Sequence, residues 1–553
     1  MRAASNGDRK QEPGNRLDSW KEIATYLKRD VRTVQRWEKM ERLPVHRKLH
    51  DKLATVFAYE SELDAWWEIG HSQPGAEAAR DASASTCPML VVLPLRNLSG
   101  DSEQEYFSDG LTEEFISQLG RLDPRRLGVI ALGSAMKYRR SSKGLDQIAR
   151  ELGVTYVLDG SVRRDHERVR ISVALIRAPE QINIWTESYD RDLRDILTLQ
   201  GEVARSVSNE IAVKVSADER ARLERITTID PAAYNSYLRG RYFWNRRTAE
   251  AIPKAMRYFQ ETIALDPGYA PAHAGLADCY ALLASVRLGT LAPNEAMPKS
   301  KSAAKKALEL DPNLAEAHAS LGYAELWYDW NWVAAERSLK RALELNSTYA
   351  PARQWYAYYL ETVDRLAESI AEIRRALEVD PLSLRLRTTL ASLLYFERQY
   401  DSVIEESRKD LDMDPGYVVA YFNLGRAYSQ KKMHREAIAE VKKARELSND
   451  SPAMTMQLGY AYAAAGKKTA ARQMLDFLRK LARKTYVPSF YSAAIYTGLG
   501  DNEQALQWLG RAHRERCDYL VHLPKEPATD ALRSDPRFWA LVPRPRPTID
   551  GEE

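Results

Sequence analysis

The spacing of apolar positions divides this chain into three stretches with different periods. Between Asp18 and Trp67 the period is short and helical. Trp20, Ile23, Ala24 and Leu27 recur at i, i+3, i+4 and i+7 behind Ser19 and Glu22, which stand three apart as a capping box, so a helix starts there. After a polar break at Lys28-Arg29-Asp30, with Asp30 as N-cap, Val31, Val34 and Trp37 mark the packing side of a second helix running through Glu38. Leu43 to Lys52 and Thr55 to Tyr59 read as two extended segments around a basic turn, and Leu63, Trp66 and Trp67 close the set on a last helix from Glu60. The pattern predicts two helices joined by a tight turn, a two-stranded wing and a short third helix.

From Met89 the pattern changes to short runs and alternations. Leu90 to Pro94 is an apolar strand, a loop over Asn97 to Asp101 leads to a helix over Thr112 to Leu119, and another strand falls near Val129-Ile130. A helix over Leu145 to Leu152 precedes strands at Thr155 to Leu158, Gly160 to Asp165 and Arg168 to Arg177, where Val169, Ile171, Val173 and Leu175 alternate with other residues. A strand over Ile182 to Tyr189 comes before a helix with Val203, Val207, Ile211 and Val215 four apart. Residues 89–216 therefore read as an α/β domain with a mixed sheet.

Beyond residue 230 the chain repeats itself. Leu310, Leu345, Val379, Met413 and Leu447 occupy equivalent places at steps of 35, 34, 34 and 34. Asp266-Pro267, Asp311-Pro312, Asp380-Pro381 and Asp414-Pro415 punctuate the units, since proline lacks the amide a continuing helix needs. Small residues recur with larger ones inside units, as in Leu321-Gly322 with Ala335, Leu339 and Ala342, and Leu424-Gly425-Tyr428 with Ala437, Val441 and Ala444. An insertion falls around Leu288 to Pro298, and the array is read over 230–516, with 517–553 as a cap and tail.

Composition refines this picture. The 553 residues carry a net charge of only +4, so any contact with a polyanion must be local; between Lys28 and Lys52 basic residues outnumber acidic ones about two to one. Cys87, Cys279 and Cys517 form no CxxC or Cys/His cluster, no apolar run approaches a membrane span, and the amino terminus lacks the apolar core of a secretory signal. The expectation is a cytoplasmic protein without cofactor or metal and without membrane contact. Residues 1–16 are expected to be a disordered tail and 70–88 an Ala/Ser/Gly/Pro linker.

Three resemblances follow. SWKEIATYL, DVRTVQRWE, LPVHR and AYESELDAWW resemble the MerR/excisionase-type winged helix-turn-helix over residues 17–69. VVLPLRNLSGDSEQEYFSDGLTEEF and YVLDGSVRRDHERVRISVALI look like the amino-terminal domain of TolB and the sensory domain of CadC-type regulators; the CadC arrangement has a membrane helix where this chain has its polar linker. The 34-residue period resembles the tetratricopeptide repeat over about eight units, which implies a stack of helix pairs with a concave groove. The fold class expected is multidomain and mainly α, with a winged helix-turn-helix, an α/β domain with mixed sheet and a C-terminal tetratricopeptide α-solenoid.

Candidate chemistry follows from these elements. On the outward side of the second helix, Arg32 and Arg36 are the leading base readers, because arginine can chelate guanine O6/N7; Gln35 and Thr33 are secondary readers. Lys39, Arg47, Lys48 and Lys52 are candidate phosphate clamps. In the array, Tyr323, Trp327, Tyr358, Phe422, Arg426 and Tyr460 fall on first-helix positions that face either the groove or a neighbouring repeat. Asp109, Glu113 and Glu114 read either as acid/base groups or as carboxylates complementing a helix N-terminus, the latter being simpler without a histidine or phosphate loop nearby. The function expected is a DNA-binding transcription regulator, not an enzyme, with double-stranded DNA and a protein or peptide as partners and a homodimer matching a two-fold operator. The alternative is an assembly scaffold without DNA-directed function.

Overall fold

The computed structural model describes residues 16–27, 31, 34, 38, 43–50, 53–64, 87–213, 215–224, 228–286, 288 and 290–545. It divides into two compact units, Met1–Thr86 and Cys87–Glu553.

In the first unit the helix Trp20–Tyr26 is capped by Ser19, whose hydroxyl accepts from Glu22 N at 3.2 Å. The reciprocal bond differs from the expected box: the Glu22 carboxylate takes the amide of Asp18, at 2.8 Å, one residue before the cap. Strands β1 (Arg16–Leu17), β2 (His46–His50) and β3 (Leu53–Tyr59) form an antiparallel sheet in the order β1-β3-β2. The wing is thus the hairpin β2-β3; β1, at the edge of the expected tail, is an addition the apolar pattern did not mark. Ile23, Ala24, Val34, Leu43, Val56, Ala58 and Leu63 form one small core, with Trp20 and Val31 packed on it.

The second unit opens with a sheet of β4 (Met89–Val92), β5 (Arg96–Asn97), β6 (Gly128–Val129), β7 (Tyr156–Asp165), β8 (Arg168–Arg177) and β9 (Ile182–Asp192). Its order is β6-β4-β7-β8-β9, with β5 also on β7. The β6, β4, β5 and β7 pairings are parallel, and β7-β8-β9 are antiparallel. Leu90, Val91 and Val92 are fully buried in succession, as a parallel strand covered on both faces requires. Two local expectations change. Thr155 to Leu158 and Gly160 to Asp165 are one continuous strand, and the valine helix, Ile196–Glu210, stops before Val215 because Ala212 takes φ 58° and the backbone turns.

From Pro231 eight helix pairs follow among the described residues, beginning with Pro231–Arg246 and Ala251–Leu265 and ending with Ser489–Gly498 and Asn502–Arg514. Helices end at Leu265, Leu310, Val379 and Met413, with Asp266, Asp311, Asp380 and Asp414 as C-caps, at the punctuation points read from sequence. The expected insertion is narrower than read: Pro293 opens a helix to Leu310, and Pro298 lies inside it. Gly240 and Gly275 grip Phe259 from two helices, and a Cβ on either would come within 2.6 Å of the ring. The sheet and the first repeats share one core, in which Phe107, Leu111 and Phe115 of helix Glu105–Gly120 join Tyr234, Leu238 and Phe259. Among the described residues no helix is long and apolar enough to cross a membrane.

Candidate functional site

Two surfaces carry the expected chemistry, one in each unit. In the first unit, Arg47 lies half-exposed on β2 and donates to Glu38 Oε1 at 2.5 Å, so a cation expected on phosphate has an acidic partner beside it. Lys48 follows it in β2. His46 contacts Glu62 at 2.5 Å and stacks on Phe57, which ties the wing to the segment after β3. Arg32, Thr33, Gln35, Arg36, Lys39 and Lys52 lie outside the described residues.

The second surface is the concave wall of the repeats. All six residues expected there line one cavity of about 780 Å³: Tyr323, Trp327, Tyr358, Phe422, Arg426 and Tyr460. The wall is not bare. After helix Asn502–Arg514 the chain turns back as short helical segments Asp518–His522 and Pro527–Leu532 and a helix Pro536–Leu541, and the first two lie against it. A segment expected to be a cap and tail is therefore the lining of the groove.

The contacts are buried and specific. Arg426 sits 3.7 Å over the Tyr395 ring and donates to Glu526 at 2.8 Å and to the Tyr519 hydroxyl at 3.0 Å. Glu526 also accepts from the hydroxyls of Tyr395 and Tyr519, at 2.8 and 2.5 Å, which satisfies a carboxylate that is only 3% exposed. Trp327 donates its indole N–H to His522 Nε2 at 3.3 Å, leaving the ring proton on Nδ1, 2.6 Å from Glu361. Asp518 accepts from the amide of Val286 at 3.0 Å and from Tyr323, and its burial pushes the carboxyl up to about 6. Beside this segment two buried amide donors of the cavity wall, Asn423 Nδ2 and Gln457 Nε2, have no hydrogen-bond partner.

Sequence reasoning did not mark Glu361, Tyr395, Asp518, Tyr519, His522 or Glu526. The period holds a signal for two of them: Tyr358 and Arg426 share one place in the repeat, and Glu361 and Tyr395 share the place three residues further on, the same helix face.

The acidic group near the start of the α/β domain is not where the helix-terminus reading put it. A short turn capped by Asp101 starts the helix at Glu105, so Asp109, Glu113 and Glu114 are mid-helix and do not complement its N-terminus. They bond across to other elements instead. Glu113 accepts from buried Arg241 and from Asn245, Glu114 accepts from Tyr237 at 3.2 Å, and Asp109 pairs with Arg139. Further along, Ser134 N donates to Asp380 at 3.0 Å, a second tie between sheet domain and repeats.

The tetratricopeptide repeat model matches residues 418–451, the helix pair that carries Phe422 and Arg426. The helical array is a tetratricopeptide-like solenoid. The chain is also similar to "Putative adenylate cyclase 3" of Rhizobium meliloti (strain 1021), 40% identical over 190 residues that cover 34% of this chain and 32% of the relative. It is similar to the transcriptional regulator HilA of Salmonella typhimurium, 22% identical over 339 residues covering 60% of this chain and 58% of that protein. The chain thus spans about a third and somewhat over half of these relatives' lengths. Among solved structures a human IFIT1 dimer with m7Gppp-AAAA aligns at 15% identity and a TM-score of 0.42, covering 62% of this chain and 76% of that one.

Proposed function

We propose that this protein is a sequence-specific DNA-binding transcription regulator in which residues 17–69 select the site and the sheet domain and repeats receive a protein signal. The observation that carries the reading is the module at the amino end, where a capped helix and a two-stranded wing with Arg47 and Lys48 close one small core. Its resemblance to MerR/excisionase-type modules and the chain's similarity to HilA support it. In this reading Arg32 and Arg36 read bases with Gln35 and Thr33, and Lys39, Arg47, Lys48 and Lys52 hold phosphate. The TolB/CadC-like reading of residues 89–216 makes that domain the receiver. The aromatic wall and the free donors of Asn423 and Gln457 support a protein or peptide partner in the groove beside the C-terminal segment.

The test compares binding of the full-length protein to genomic fragments with that of two variants. Arg36→Ala is expected to relax preference at one base position, a loss of about 1 to 3 kcal/mol for a bidentate guanine contact. Lys48→Ala is expected to weaken all sequences alike and to lower the salt slope by about one. Unchanged sequence preference in Arg36→Ala counts against the assignment. An adenylate cyclase activity, suggested by one relative's name, is assayed by incubating the protein with ATP and Mg²⁺; no cyclic nucleotide is expected.

A further inference from the structure

We infer that the outer face of the repeats over residues 431–484 is a second binding surface, for the phosphate backbone of duplex DNA irrespective of sequence. Thirteen of the chain's 81 basic residues and only five of its 77 acidic ones lie in this stretch, so it carries +8 where the whole chain carries +4. The charge is on the convex side. Lys432, Arg435, Lys467, Lys468, Arg472 and Lys480 are all exposed on the outer helices His434–Leu447 and Lys468–Leu481 or on the turns that open them. Among the described residues none of the six has a side-chain hydrogen bond or ion pair.

Elsewhere many cations of the outer helices have a carboxylate partner on their own helix. Lys299 pairs with Glu295, Lys306 with Glu309, Lys340 with Glu336 and Arg341 with Glu344, each one turn apart on its own helix. Such pairs stabilise a helix modestly, and like charges left facing one another oppose the fold by similar amounts. Within 431–484 Lys443 and Arg479 are paired in the same way, with Glu446 and Asp476, and Lys431 and Arg445 reach Asp401 and Asp450, but the six cations named above have no such partner, which makes an external polyanion their natural complement.

The shape of the patch selects the polyanion. Each outer helix has 14 residues, a length of about 21 Å, along which a duplex carries about twelve phosphates. A folded acidic protein would need an apolar centre to exclude water from the contact. Of the large apolar side chains exposed in the described structure, only Leu447 belongs to this stretch. A line of phosphates needs charge alone, because binding releases condensed counterions.

This inference extends the reading that the protein acts on DNA but is tested apart from it. Full-length protein is titrated with a random-sequence 30-base-pair duplex over a range of salt, and compared with a variant carrying Lys432→Gln, Arg435→Gln, Lys467→Gln, Lys468→Gln and Arg472→Gln. The expected result is at least a tenfold weaker affinity at low salt and a log–log salt slope smaller by about 4.5 if all five contacts are lost, at about 0.9 per phosphate contact. A control with Lys305→Gln and Arg374→Gln, exposed cations away from the patch, keeps the wild-type affinity and slope. Thermal midpoints of all three proteins should agree, since the substituted side chains touch no core. Duplex affinity and slope unchanged in the five-fold variant overturn the proposal, as does loss of binding to polyglutamate with duplex binding intact, which would assign the face to an acidic protein. Failure of the amino-terminal module gives a separate signature: no sequence preference in the wild type, with the slope difference still present.

Discussion

Glu113 and Glu114 are adjacent in sequence, and the fold gives them different partners. Glu113 faces the buried guanidinium of Arg241, whereas Glu114 is pushed up to about 7, first by burial and then by the charge of Glu113, with Arg121 and Arg241 opposing. A carboxyl whose folded value lies above its ordinary 4.5 keeps a proton that the unfolded chain releases. The stability that Glu114 contributes is then fully present below about pH 4.5 and is lost as pH rises to about 7, a change of at most about 3.4 kcal/mol. Replacing Glu114 with Gln should flatten that segment of the curve, which chemical denaturation at a series of pH values measures; an unchanged slope would refute the assignment. At Gly160 the constraint is steric. A Cβ there would lie 2.6 Å from the backbone oxygen of Ser172 on the paired strand, so Gly160→Ala should destabilise by about 1 to 3 kcal/mol, seen as a lower thermal midpoint. Capping, alternation and the Asp-Pro stops were legible at this scale because each depends on residues within a turn of one another. The role of Glu113 was not, because Arg241 is 128 positions away.

Among elements, the repeat helices were the most legible and the C-terminal segment the least. The 34-residue period and its stops are local signals, and the helices end where they predict. The short segments Asp518–His522 and Pro527–Leu532 have no strong period, and their partners on the wall lie 93 to 232 residues away, as in Arg426 with Tyr519 and Val286 with Asp518. Six wall residues were found by repeat position; what covers them was not. Truncating Arg426 to Ala leaves the Glu526 carboxylate buried without its cation, a change expected to cost about 3 to 5 kcal/mol. Hydrogen exchange should detect it as faster exchange over residues 518–532 than over the sheet domain. Equal protection in the two proteins would mean that the ion pair does not hold the segment.

For the whole molecule, the change from helical period to alternation and then to a 34-residue repeat was enough to give the mixed sheet and the solenoid in order. The shared core between them was hidden, because an interface of Phe107, Leu111 and Tyr234 reads in sequence as the ordinary interior of each part. At this scale the account stands on duplex recognition by the amino-terminal module. The most direct test is selection of genomic fragments by the full-length protein at low ionic strength, followed by protection mapping of the bound duplexes, with the Arg36→Ala protein in parallel. The account predicts one enriched, protected sequence whose preference weakens at a single base position in the variant. Recovery of fragments in proportion to their abundance, with no protected sequence in common, would contradict it.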